Sequence, residues 1–370
     1  MKKILVIDGN SIINRAFYGI RPLTTKSGKH TNAIYGMINM ISRQMKAIEP
    51  DYAAVAFDLK APTFRHKMYD HYKEGRHPTP PELLCQFDDA KDCLRKMGIA
   101  TLELEGYEAD DIQGTIAKWA EGQDGLFSYV LSGDRDLLQL IGDKVNVLLA
   151  TTGDTHLFDR DAFFEKYGIE PSALVDAKAL MGDSSDNIPG VSGIGEKTAL
   201  KLISQFGSLD GIYENLDSPD ISKKTKEKLA SEREMAYLCQ KLARIETNVP
   251  LNITLEDIAY HGPNESELYE KFRSLEFFGL IKKFSLTSES SQQSAKKDDT
   301  QAQEQPIQVQ AQPCHCASTE AKCVDASEMC RISTDVCAVA LDGESFYLAN
   351  ESGLFCTQVG KELAPLFDAG

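Results

Sequence analysis

At 370 residues, with 42% hydrophobic and 26% charged content, the chain is long enough for two or more domains and ordinary for a soluble globular protein. Its formal net charge of −16 excludes a uniformly basic coat for nucleic acid, so any phosphate binding must rest on local clusters of Lys and Arg. The apolar run before Asp8 is too short for a signal-peptide core, no later run reaches the ~18 residues of a membrane span, and nine cysteines without an export signal fit reduced thiols, so we expect a cytoplasmic protein with no membrane partner.

In chain order, "KILVID", "YAAVAFD" and "FSYVLSGD" read as buried parallel strands, with helical periodicity at 33–48, 87–97 and 111–120 between them. This alternation predicts an α/β fold, a mostly parallel sheet with helices on both faces. Between Lys60 and His77 basic residues outnumber acids and interleave with Phe64, Tyr69 and Tyr72, while "KKTKEK" at 223–228 forms a second, blander basic run. Past residue 175 helical stretches dominate (175–181, 196–205, 225–243, 265–273), which predicts a second, helical subdomain over 176–285. Residues 286–313 have the composition of a disordered linker. Beyond it "VCAVALDGESFYLA" reads as two strands joined by an Asp-Gly turn, in a 314–370 segment short for an independent domain. Cys316, Cys323, Cys330 and Cys337 recur every seven residues, with Cys314 near them, a spacing unsuited to a zinc site.

All three strands run into aspartate: Asp8, Asp58, and Asp134 with Asp136. Ligand sites in open parallel sheets lie beyond the carboxyl ends of strands, so these acids can converge there. "GYEADDIQG" adds Glu108, Asp110 and Asp111, and "MGDSSDNIPG" adds Asp183 and Asp186. Singly, such residues are helix caps or turn formers. Together they cannot all ionise without counter-charge. All-oxygen donors call for Mg2+ or Mn2+ rather than zinc, and two such ions ~4 Å apart suit phosphodiester hydrolysis. In "GVSGIGEKTA", Gly190, Gly193 and Gly195 let backbone approach a phosphate and Lys197 supplies charge.

In order and spacing over roughly 1–285, "IDGNSIINRAFY", "FRHKMYDHYKEGRHPTPPEL", "GYEADDIQG", "SGDRDLLQL" and "MGDSSDNIPGVSGIGEKTA" resemble the flap endonuclease family, in particular the 5′ nuclease domain of bacterial DNA polymerase I. The resemblance implies a PIN-like core over 1–175, a helical arch at about 60–95, and a helix-hairpin-helix region over 176–285 that grips duplex backbone and can bind K+. It implies Asp8, Asp58, Glu108, Asp110 and Asp111 around one metal, Asp134, Asp136, Asp183 and Asp186 around the other, and ligand sets that can overlap. Tyr72, Lys73 and Arg76 match the arch motif that engages the 5′ strand and scissile phosphate, Arg15 a basic residue behind the first aspartate, and Gly193, Ile194, Gly195 and Lys197 the hairpin. Arg65, in the same basic stretch, is expected on DNA. The segment 332–370 is similar to the start of a 3′-to-5′ exonuclease-like domain, and no polymerase motif follows it. The implied substrate is DNA with 5′ flaps, nicks or gaps, including RNA-primed 5′ ends. A PIN-type ribonuclease would share the acids without arch and hairpin, and a DNA-binding module with a dead site would have lost acids.

Overall fold

The strand Lys2–Asp8 (β1) leaves Ile4, Leu5, Val6 and Ile7 no exposure, as a parallel strand covered on both faces requires. It belongs to a computed structural model that describes residues 1–151 and 153–287, and beyond them only the backbone strands Lys322–Cys323, Ala338–Asp342, Ser345–Asn350 and Gly353–Gln358. With Tyr52–Ala56 (β2), Ala100–Leu102 (β3), Leu126–Ser132 (β4), Val145–Ala150 (β5) and Thr155–Phe158 (β6), β1 forms a sheet of order β3-β2-β1-β4-β5-β6. The first five strands are parallel and β6 closes the edge antiparallel to β5. Strand order reverses at β1, and the crevice of such a sheet opens beyond the carboxyl ends at that point.

Alternate residues of β1 feed different layers. Leu5 and Ile7 join Ile12, Ile34, Ile38 and Leu94 of the helices Gly9–Gly19, Asn32–Ile48 and Phe87–Lys96 on one face, and Ile4 and Val6 join Ile112 and Ile116 of Ala109–Glu121 on the other. A third apolar cluster ties Leu137 and Val147 to Leu202 and Ala236, so the core continues across residue 175 into the helices Leu174–Met181, Glu196–Phe206 and Arg233–Ala243. The region expected as one helical subdomain to 285 is divided in its packing. Leu268 and Phe272 of Glu265–Ser274 and Leu280 of Phe278–Lys283 return to the first face of the sheet, where Lys271 donates to Asp89 at 2.9 Å.

The helix expected over 225–243 is two, Lys223–Ser231 and Arg233–Ala243, broken at Glu232, whose carboxylate accepts from the Ser192 N–H at 2.8 Å. Residues 60–95 are helical only in Phe64–Met68, Pro81–Leu84 and from Phe87 onward: Lys73 (φ 58) and Gly75 (φ 83) turn the chain out of the helical region, Pro78 and Pro80 offer no backbone donor, and Pro81 opens the next helix at its first position.

The strands after residue 320 belong to a second unit, Gln301–Gly370, with the order Lys322–Cys323, Gly353–Gln358, Ser345–Asn350, Ala338–Asp342. Asp342 is the last residue of its strand and pairs with Ser345, so the register is one residue later than an Asp-Gly turn would give, and residues 343 and 344 lie outside the described residues. The expected linker, from residue 288 on, and Cys314, Cys316, Cys330 and Cys337 lie outside the described residues. No helix among the described residues is long and apolar enough to cross a membrane.

Candidate active site

Local structure aims the strand-end carboxylates. Asp8 caps Gly9–Gly19, its Oδ1 accepting from the Ser11 N–H at 2.8 Å and its Oδ2 from the Ser132 hydroxyl at 2.7 Å. Asp58 accepts from the Ala109 N–H at 2.7 Å, and Asp134 from the Asp136 N–H at 2.9 Å. Asp110, in the first turn of Ala109–Glu121, has no hydrogen-bond or ion-pair partner among the described residues, although it lines the same cleft as Asp8, Asp58 and Asp134. Burial pushes the Asp8 carboxyl up to about 7, with Asp58 and Asp134 adding repulsion. Burial, then Asp8, Asp134 and Asp58, drives Asp110 well above the carboxylate range. Four carboxylates thus repel one another with no cation in contact with Asp110.

An adjoining cleft shares Ser11, Asp134 and Asp136 with the first and adds Lys178 and Asp183. The Lys178 ammonium pairs with Asp136 and, at 2.5 Å, with Asp183. Burial still lifts Asp136 to about 7 against that pairing. At Asp183 burial works in the same direction, but Lys178 and the Ser185 donors outweigh it and hold its carboxyl below the usual range. Lys178 escaped the sequence reading. Its signal was a single lysine in the otherwise apolar run "AKALM" directly before the acidic turn.

The turn at 69–76 closes over these acids. Lys73 donates to Glu108 Oε1 at 2.6 Å, Arg76 pairs with Asp186, and the buried Tyr72 hydroxyl bridges Glu108 Oε2 (3.1 Å) and Asp186 Oδ2 (3.0 Å). Burial, then the two carboxylates, raises the Tyr72 phenol, which stays a proton donor.

Two family models match, one described as the N-terminal resolvase-like domain of 5′-3′ exonuclease over residues 3–168 and one as its C-terminal SAM fold over 169–266. The chain belongs to the 5′-3′ exonuclease family. It is 44% identical over 298 residues to a DNA polymerase I of Bacillus caldotenax, covering 80% of this chain and 34% of the relative. Against a DNA polymerase I of Bacillus subtilis it is 41% identical over 300 residues, with 80% and 34% covered, so the chain spans about a third of these relatives. Among solved structures, a T5 5′-exonuclease with bound zinc ions is alike in fold at TM-score 0.57 and 24% identity, covering 74% of this chain and 98% of that one. A bacteriophage T5 D15 flap endonuclease in a pseudo-enzyme-product complex with DNA and metal ions gives 0.56 at 24%, covering 66% and 90%.

Within this chain, two expected site residues have other work. Arg65 is 3% exposed, its guanidinium held by Asp111, Glu108 and the carbonyls of Leu242 and Arg244, so it faces protein and not DNA. Asp111 has no exposure and gives both oxygens to Arg65 at 2.7 Å, which removes it from the metal-facing set. Arg15 lies behind the cleft wall, its guanidinium 3.4 Å from the Gly133 carbonyl and packed so closely that a Cβ at Gly133 would stand 2.7 Å from its Nε. In the hairpin Gly193 (φ 68) takes a backbone conformation that suits glycine, Gly195 and Lys197 are exposed, and Ile194 is buried as the anchor beneath them. As placed, no three His, Cys, Asp or Glu among the described residues stand close enough to hold a metal ion. The donor set nevertheless fits hard divalent cations: all carboxylate oxygen, with the partnerless Asp110 facing like charges on several sides.

Proposed function

We propose that this exonuclease is a structure-specific 5′ nuclease that hydrolyses phosphodiester bonds of DNA at 5′ flaps, nicks and gaps, including RNA-primed 5′ ends, in replication and repair. The carrying observation is Asp110, unpartnered and repelled by Asp8, Asp58 and Asp134 at the sheet's switch point, an arrangement that calls for positive charge where a phosphate must also come. Asp8, Asp58, Glu108 and Asp110 would hold one Mg2+, with Mn2+ able to replace it, and Asp136, Asp183 and Asp186 a second, with Asp134, which stands against both groups, shared between them. Such ions, when bound, make water nucleophilic at neutral pH and stabilise the leaving oxygen.

The chain's own groups do the rest. Lys73 and Arg76 leave their carboxylates for the scissile phosphate, Tyr72 orients Glu108 and Asp186 as a fixed donor, and Arg15 braces the Gly133 turn that presents Asp134. Exposed backbone at Gly193 and Gly195, with Lys197, takes duplex phosphates, and the same hairpin is the place for a K+ ion. The division of labour is a nuclease core over 1–175 with its arch at 60–95, and duplex grip from the helices after it. The free thiols of Cys85, Cys93 and Cys239 suit a cytoplasmic setting.

The test is to incubate end-labelled single strand, blunt duplex and 5′-flap duplex with the protein in Mg2+ or EDTA. Cleavage should fall at the flap junction, require Mg2+, and drop by about 10²-fold or more in Asp134→Asn or Asp186→Asn. Cleavage that persists in EDTA refutes the reading.

A further inference from the structure

Two turns meet over the site, and each is held by a non-glycine residue in the left-handed region: Lys73 (φ 58) in the arch turn and Asn187 (φ 55) in the acidic turn. Such backbone is uncommon outside glycine and persists where surrounding contacts enforce it. Here the contacts are reciprocal. The Lys73 N–H donates to the Asp186 carbonyl at 2.9 Å, Arg76 Nε to the Ser185 carbonyl at 3.1 Å, and Asn187 Nδ2 to the His71 carbonyl at 2.7 Å. Among the described residues, Asn187 contributes the one side-chain donor running from the acidic turn back to the arch. Its amide touches no carboxylate of the site.

We propose that Asn187 is a positioning residue for catalysis: by tying the His71 carbonyl to the acidic turn, it holds the 71–76 segment where Lys73 and Arg76 meet the reacting phosphate. This rests on the 5′ nuclease reading above. Asparagine suits the post for a physical reason, being among the few side chains that tolerate this φ while carrying an N–H donor. Glycine would keep the conformation and lose the tie; aspartate keeps a similar shape but offers an acceptor where a donor is needed.

The deciding variant is therefore Asn187→Gly, with Asn187→Asp as a second should glycine loosen the turn beyond recognition. With the arch docked for a smaller fraction of the time, single-turnover cleavage of a saturating 5′-flap duplex in Mg2+ should slow about five- to tenfold, the worth of one net hydrogen bond. Equilibrium duplex binding in Ca2+ should stay at the parent value. Trypsin should cut the metal-free variant after Lys73 and Arg76 faster than the parent, a readout independent of turnover. In a Lys73→Ala/Arg76→Ala background, adding Asn187→Gly should cost nothing further, because the groups it positions are gone. A parent-like rate in both variants, unchanged trypsin cleavage, or an equal loss in the double-substituted background each overturns the assignment. A parent protein that leaves the flap uncut would fail the function reading instead.

Discussion

The Arg65 guanidinium makes five hydrogen bonds, two to Asp111, one to Glu108 and two to the Leu242 and Arg244 carbonyls, while its face lies 4.5 Å from the Phe64 ring centroid. It fastens the start of the arch to the chain leaving Arg233–Ala243, and it neutralises a fully buried acid. Removing one partner of a buried pair leaves the other's charge uncompensated, so Arg65→Ala should cost about 3–5 kcal/mol in urea unfolding. Arg65→Lys keeps the charge but not the planar fork, and should fall between the two. Its duplex affinity in Ca2+ should match the parent, and a marked loss would return Arg65 to the DNA surface. The sequence showed that Arg65 sits in a basic, aromatic stretch, but a basic residue facing phosphate and one facing a buried carboxylate look alike until burial is known. Asp8, Asp58 and Asp134 were legible because strand ends fix where their side chains gather. Asp111 was not, since one helical step beyond Asp110 turns a carboxylate from the cleft to the core.

At the scale of elements, the arch turn and the hairpin carry the same chemistry in different settings. Lys73 is largely buried against Glu108 and Asp186, which outweigh the burial that opposes its charge and raise its ammonium above the usual range. Lys197 stands exposed after the hairpin, above the buried Ile194. An exposed cation on a phosphate contributes affinity that salt screens, so Lys197→Ala should weaken duplex binding and flatten its salt slope by about one contact, with the saturated rate unchanged. A group acting where charge develops lowers the barrier instead, so Lys73→Ala should cost about 10²-fold or more in single-turnover rate with little change in affinity. Binding in Ca2+ beside cleavage in Mg2+ separates them, and a swapped pattern would exchange their roles. The sequence also exposed β1, β2 and β4 through their apolar runs. It concealed β3, three residues long, and β6, whose His156 and Leu157 face solvent at an edge. The 225–243 periodicity hid the break at Glu232, since that bend follows from a distant partner, Ser192.

Over the whole molecule, the fold brings acids from five regions of sequence into one cleft, and the cost of gathering them depends on pH. Asp8 and Asp136 are raised by burial from an ordinary 3.8 to about 7, so between those values the folded protein keeps protons that the unfolded chain has released. Stability tracks protons bound in the unfolded state minus those bound in the folded state, a difference that is negative across this window. Through these two groups the metal-free fold is therefore strongest near the lower value and loses stability as pH rises to about 7. Asp183 is shifted below its ordinary 3.8 and titrates outside the window. Divalent ions held by these carboxylates, as proposed, would reverse the trend, because they would bind the ionised form and have to displace these protons, so their affinity would rise where the bare fold weakens. Thermal midpoints measured from about pH 5 to about pH 8 should fall in EDTA, while the gap between Mg2+ and EDTA widens over the same range. Asp8→Asn should flatten the EDTA curve and shrink the gap at the high end, having lost both the strained charge and a proposed ligand. A gap of constant size across that range would mean that the ions bind away from these acids.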